Sequence, residues 1–211
     1  MNRSRTITAI FLMVASTIPR GVLAQSTAEL SPDELQRLEK GRLVMHPEES
    51  ADHPQLFGGT SWQKIAVPPE ALWEAILDTP HYPHMLPQLA EARLLQDRDE
   101  GRLILMHHRQ GIINARYRLI MLVRPSSRIA VFYVDPTHSG TLRRGQGYIL
   151  VQPYGEQDSL ITFHIMADVG SGLVAELFRD EIQEWMLRVP QTVKRYVEGP
   201  GRPRYLRLAL R

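Results

Sequence analysis

His81 and His84 stand three residues apart in DTPHYPHMLP, residues 78–87. That spacing places two imidazoles on one face of a helix, where they could bind zinc. No further histidine or acid follows at a recognisable ligand spacing, so both read as exposed loop histidines and no metal is expected. His107 and His108 are adjacent in a segment of strand-like character. Strand neighbours point to opposite faces, so at most one of them sees an interior. That histidine could act as a general acid–base beside a tyrosine that polarises a carbonyl, the chemistry of an aldol-type cyclisation. The serines and threonines show no nucleophile-elbow pattern, and no triad or phosphate loop is present. Cysteine is absent, which removes thiol nucleophiles, thiolate metal sites and disulfides. No catalytic residue and no cofactor is therefore assigned.

The elements that must hold these residues begin after a distinctive first segment. MNRSR carries two arginines and precedes ITAIFLMVASTI, an uncharged apolar run. PRGVLA follows, with Val22 and Ala24 at small-residue cleavage positions. The pattern reads as a signal peptide over residues 1–24, with an uncleaved anchor as the alternative. The run is short for a membrane span. Export to the periplasm or outside the cell is the expectation. Removing Arg3, Arg5 and Arg20 takes the formal charge from +2 to −1 (2 − 3). The basic character thus resides mostly in the leader, and nucleic-acid binding loses its main support.

Residues 25–57 read as an extension with one helix. Ser31, Pro32 and Glu34 form a capping box, and Gly41 suits the helix stop. Residues 42–46 suit a short strand, and EESADHPQLFGG reads as a loop. Residues 60–67 alternate as a strand. Pro68 and Pro69 then open a helix whose apolar side is Leu72, Trp73, Ile76 and Leu77. Pro80, Pro83 and Pro87 enforce short turns after it.

Six further strand-like runs follow, at 91–96, 102–109, 113–123, 128–135, 141–152 and 159–169. The tight spacing of the turn signals between them implies an antiparallel meander. Counting 60–67, seven strands are expected. From Leu173 to Val197 apolar residues recur at helical spacing, among them Phe178, Ile182 and Trp185. Pro190 should bend this long helix. Residues 199–211 read as a loose basic tail.

The stretch IAVPPEALWEAILDTPHYPHMLP (residues 65–87) resembles the polyketide cyclase / coenzyme Q-binding branch of the START-related, Bet v 1-like helix-grip superfamily (SRPBCC). RRGQGYILVQPYGEQDSLITFHI (residues 143–165) is similar to the branch's final hairpin. The resemblance spans residues 58–198. It implies an α+β helix-grip fold: a curved seven-stranded antiparallel sheet wrapped on a long C-terminal helix, with two short helices after the first strand. It also implies a cavity between sheet and helix. Trp73, Tyr82, Met85 and Leu86 are then expected near that cavity, with Phe178, Ile182 and Trp185 on the helix side.

Strand alternation supplies the remaining wall. Ala115, Tyr117, Leu119 and Met121 oppose Arg116 and Arg118 and should face inward. Ile129, Val131 and Tyr133 form the expected inward set of the next strand. Tyr148 is favoured inward, subject to a bulge at the neighbouring glycines. Ile161, Phe163 and Ile165 complete the set. Ile120, Leu122, Phe132 and Val134 then fall outside, an apolar patch that needs a cover. The 25–57 extension or a second copy of the chain is expected there, the latter giving a homodimer.

The function expected is an exported binder or carrier of a hydrophobic small molecule: a lipid, an isoprenoid or quinone, or a sterol-like compound. Leu206, Leu208 and Leu210, with Arg202, Arg204, Arg207 and Arg211, suit transient contact with a membrane surface. A cyclase/aromatase-type enzyme and a protein-interaction module are the alternatives.

Overall fold

A computed structural model describes residues 30–98, 101–111, 113–170 and 177–210. The described residues from Gln36 onward belong to one compact unit, and residues 30–35 to another. The expected leader lies outside the described residues. Helix α1, Pro32–Glu39, starts on the anticipated capping box: the Ser31 backbone N–H donates to Glu34 at 2.9 Å. It ends at Gly41, whose φ of +69° is readily adopted only by glycine.

Eight strands follow among the described residues, the seven expected in the sheet and the short strand expected near 42–46: β1 Val44–Glu49, β2 Leu56–Ile65, β3 Leu89–Arg98, β4 Gly101–Gln110, β5 Ile113–Arg124, β6 Ile129–Val134, β7 Arg144–Tyr154 and β8 Asp158–Asp168. They form one antiparallel sheet in the order β1-β2-β8-β7-β6-β5-β4-β3. The short strand expected in the extension is β1, which runs on to Glu49 and joins the sheet as its edge, and β2 begins at Leu56 rather than at 60. The reading of 48–59 as a loop was misled by Pro47, Gly58 and Gly59. Pro47 cannot donate to a ladder, but β1 is an edge strand and leaves that donor unneeded. A side chain at its partner Gly59 would lie 2.1 Å from the His46 carbonyl, so glycine there lets the two strands close.

Between β2 and β3 lie helix α2, Pro69–Leu77, a 3-10 turn, Thr79–His81, and helix α3, Tyr82–Met85. Prolines sit at the first positions of all three, where no N–H is missed. The histidines here have structural partners. His81 Nδ1 lies 3.0 Å from an Asp78 carboxylate oxygen, and His84 stacks on Tyr196 with ring centroids 5.9 Å apart. Among the described residues no group of three or more His, Cys, Asp or Glu could hold a metal ion.

After β8 come helices α4, Arg179–Leu187, and α5, Val189–Glu198. The break falls at Arg188, two residues before Pro190, as a proline-induced bend requires. Residues 173–176 of the anticipated helix lie outside the described residues. Helix α4 packs on β1, β2 and β8, and α5 on β2 and β8. Val193 and Val197 are the buried stripe of α5.

The loose tail is a correction. Arg202–Leu208 form helix α6, which packs on α2 and α5. Tyr205 is fully buried, and Leu206 and Leu208 pack against the core. Glycines and prolines suggested a free end, but Pro203 sits in the first turn of α6, where proline is tolerated. Among the described residues no helix is long and apolar enough to cross a membrane.

Candidate functional site: an apolar cavity between sheet and helices

Sheet register decides which residues reach the interior. Leu119 pairs with Val134 and Met121 with Phe132 across β5 and β6. Residues opposite one another share a face, so Phe132 and Val134 point inward with Leu119 and Met121. Val131 and Tyr133, expected inward, are on the outer face. The segment IAVFYV is apolar on both faces, so its alternation carries no parity information. The hairpin fixes the parity instead, and a shift of one residue reverses every side chain.

The same holds for β7. Its pairing with β8 is regular from Arg144 to Tyr154, and Ile149 faces Phe163. Tyr148 therefore points outward, where it stacks on His164 at 5.4 Å. No bulge intervenes: Gly145 and Gly147 face inward because the interior needs small residues there. A side chain at Gly147 would lie 2.0 Å from the His164 carbonyl and 2.7 Å from the Phe132 ring. Gly147→Ala is expected to cost about 1–3 kcal/mol of stability through this overpacking, read as a lower denaturant midpoint.

The inward faces and the helices enclose a cavity of about 570 Å³. That volume falls in the range of small-molecule sites, which are mostly apolar with few polar groups. Met121, Leu119, Phe132, Ile149, Phe163 and Ile165 form the sheet wall. Tyr82, Met85 and Leu86 close one end from α3, and Ile182, Trp185, Met186 and Val189 form the helical wall. The exposed Thr141 and Arg143 also line it and mark where it meets solvent.

Two expected residues on the helices lie elsewhere. Trp73 is buried in the core, while Ala75 and Ile76 of the same helix face the cavity. Phe178 is 36% exposed at the start of α4. Its φ and ψ of −113° and 21° are outside helical geometry, so the phase that aims Ile182 inward does not extend to it. Phe132, Val134 and Ile149 are among the wall residues missed; the glycine opposite Phe132, Gly147, was the available signal.

Besides Gln88, Asn114, Thr141 and Arg143, one bonded polar pair stands in this largely apolar wall. His108 and Tyr117 lie on adjacent strands, slightly out of direct register. His108 Nε2 is 3.0 Å from the Tyr117 hydroxyl, and the rings stack with an interplanar angle of 5°. His107 points the other way and meets the Asn114 side-chain oxygen at 2.8 Å. Burial, with a smaller contribution from His107, depresses the His108 pKa to about 4. Burial also raises that of the Tyr117 phenol. Both groups are therefore neutral around pH 7.

The His108 shift has a signed consequence. An unfolded histidine titrates near 6.5, so between about 6.5 and 4 the unfolded chain binds more protons than the folded one. Stability falls as pH drops through that window and levels off below it. A loss of about 1–2 kcal/mol is expected, after discounting for the partial exposure of His108 to the cavity. Denaturant midpoints between pH 7 and 4 check it, and His108→Gln should remove this part of the slope.

A family model described as polyketide cyclase / dehydrase and lipid transport matches residues 65–188. The chain belongs to this family. The sequence matches none of the curated proteins with which it was compared. Solved structures share the fold. A STAR-related lipid transfer protein from Xanthomonas axonopodis superposes with a TM-score of 0.63 at 10% identity, covering 74% of this chain and 93% of that one. TTHA0849 from Thermus thermophilus gives 0.59 at 14% identity, covering 71% and 97%. The Zhui aromatase/cyclase from a Streptomyces species gives 0.51 at 12%, covering 76% and 98%. The family fold is thus a START-like helix-grip fold that binds hydrophobic ligands, with eight strands among the described residues of this chain.

Proposed function

We propose that the protein is an exported carrier that holds one hydrophobic ligand, a lipid, isoprenoid, quinone or sterol-like molecule, in the cavity between the sheet and α4–α5. The observation that carries this reading is the wall itself: about 570 Å³ bounded mainly by aliphatic and aromatic side chains, with Gln88, His108, Asn114, Thr141 and Arg143 as polar exceptions. Burying apolar ligand surface there contributes about 25 cal/mol per Å², enough to retain a long chain without specific polar chemistry. Export rests on the sequence of residues 1–24. A carrier suits a compartment where an apolar molecule must cross water.

Contact with a membrane during loading, and a homodimer through the outer sheet face, belong to the same proposal. Ile120 and Leu122 are only half-buried on that face, beside Val131 and Tyr133. Phe132 and Val134 are not part of it. The test is transfer of a fluorescent lipid between donor and acceptor vesicles. Catalytic amounts of protein should accelerate transfer, and no acceleration together with no binding would end the carrier reading.

A cyclase-type reading has one observation in its favour, the His108–Tyr117 pair in the cavity. A general base works best with a pKa near the working pH. At about 4, His108 is a weak base, and its bonded partner is a phenol rather than a carboxylate that would raise it. The pair is better suited to hydrogen bonding than to proton abstraction.

A further inference from the structure

We infer that His108 and Tyr117 form a head-group subsite, and that it selects ligands carrying a neutral oxygen, a hydroxyl or a carbonyl, over carboxylates and pure hydrocarbons. The inference rests on the carrier reading above and specifies the ligand class.

Both side chains line the cavity, on neighbouring strands, with the imidazole nitrogen 3.0 Å from the phenol oxygen. The parallel stack fixes the two rings against each other. Of the other polar residues that line the cavity, Asn114 meets His107 and Thr141 accepts from the Arg116 backbone N–H. Tyr82, the other tyrosine of the wall, donates its hydroxyl to the Ile76 carbonyl at 2.6 Å and is already satisfied.

The pair can present either hydrogen-bonding role. In one arrangement the phenol donates to Nε2, and its oxygen accepts a hydrogen bond from a ligand hydroxyl. In the other, Nε2–H donates to the phenol oxygen, and the phenol hydrogen is free to donate to a ligand carbonyl. One imidazole tautomer exchange interconverts the two, with no change in net charge. An alcohol and a ketone are therefore both served by the same atoms.

An ionised head group is not served. Both members of the pair are neutral, and among the described residues the cationic group lining the cavity is Arg143, which is exposed. A carboxylate moved beside His108 would lose its hydration without gaining a counter-charge. A hydrocarbon would leave the outward capacity of the pair unmet, at the cost of an unsatisfied polar group.

The test uses a matched set of dodecane, dodecanol, a dodecanone and dodecanoate, each displacing a fluorescent apolar probe from the full chain at pH 7. Dodecanol and the dodecanone should bind about tenfold more tightly than dodecane or dodecanoate, the scale of one good hydrogen bond. Tyr117→Phe should erase that preference while leaving dodecane binding in place, which also reports that the variant is folded. Equal binding of dodecanoate and dodecanol by the unmodified protein would overturn the inference without recourse to any variant. So would an unchanged preference in a Tyr117→Phe protein that still binds dodecane. Failure of all four molecules to displace the probe, or of the probe to bind, would instead overturn the carrier reading and this inference with it.

Discussion

Tyr205→Ala is expected to lower stability by about 3–5 kcal/mol, the cost of removing a large buried aromatic side chain. Residues 199–211 are easily treated as dispensable, but this one is fully buried. Its ring meets Tyr196 of α5 edge-on, with centroids 6.3 Å apart. Its hydroxyl reaches the Asp78 carboxylate at 3.3 Å. Asp78 also takes Arg204 Nε at 2.8 Å and faces His81 Nδ1 at 3.0 Å. Helix α6 is thereby tied to the proline-rich turns that close the cavity. A drop of roughly 10 °C in melting temperature is the expected scale for a domain of this size. Tyr205→Phe keeps the ring and loses one partly screened hydrogen bond, so it should cost only about 1 kcal/mol. A Tyr205→Ala protein that melts with the unmodified chain would show that α6 does not hold the fold.

Leu119→Trp is expected to reduce binding of an apolar ligand by at least about a hundredfold, equivalent to about 2.7 kcal/mol. Leu119 points into the cavity from the middle of β5, and an indole there occupies space that the ligand needs. Overpacking an already filled core costs stability, whereas filling a cavity need not. Melting temperature should therefore change little while binding is lost. Tyr133→Trp is the companion substitution. Tyr133 is opposite Ile120 on the outer face, so binding should be unchanged. If the two substitutions behaved alike in a ligand-displacement assay, the assignment of inner and outer faces would be wrong.

That assignment is also where the sequence was least informative. Strand identity was readable wherever polar and apolar residues alternate, as Arg116 and Arg118 do against Tyr117 and Leu119. It failed for Val131, Tyr133 and Tyr148. Their strands are apolar on both faces, and bulky aromatics invite an inward placement. The wall uses glycine at positions 145 and 147 and places Phe132 against the latter. Parity there is a property of hairpin geometry and of close backbone approach, neither of which composition records.

The proline-histidine segment was legible in outline, since proline spacing permits only short helices. Its reason was not. Asp78 gathers His81, Arg204 and Tyr205, and the last two lie more than a hundred residues away in sequence. Long-range partners of this kind leave no periodicity to read. The same is true of the second half of β1: its start near 44–46 was readable, but Pro47 argues against a longer strand until its edge position is known.

The central claim, that this cavity holds an apolar molecule, is tested most directly by native mass spectrometry of the protein purified without detergent, followed by solvent extraction and identification of what is released. The account predicts one bound molecule per chain, apolar along its length, with a neutral hydroxyl or carbonyl head. A protein that carries nothing, and that also fails to take up added dodecanol, would contradict it.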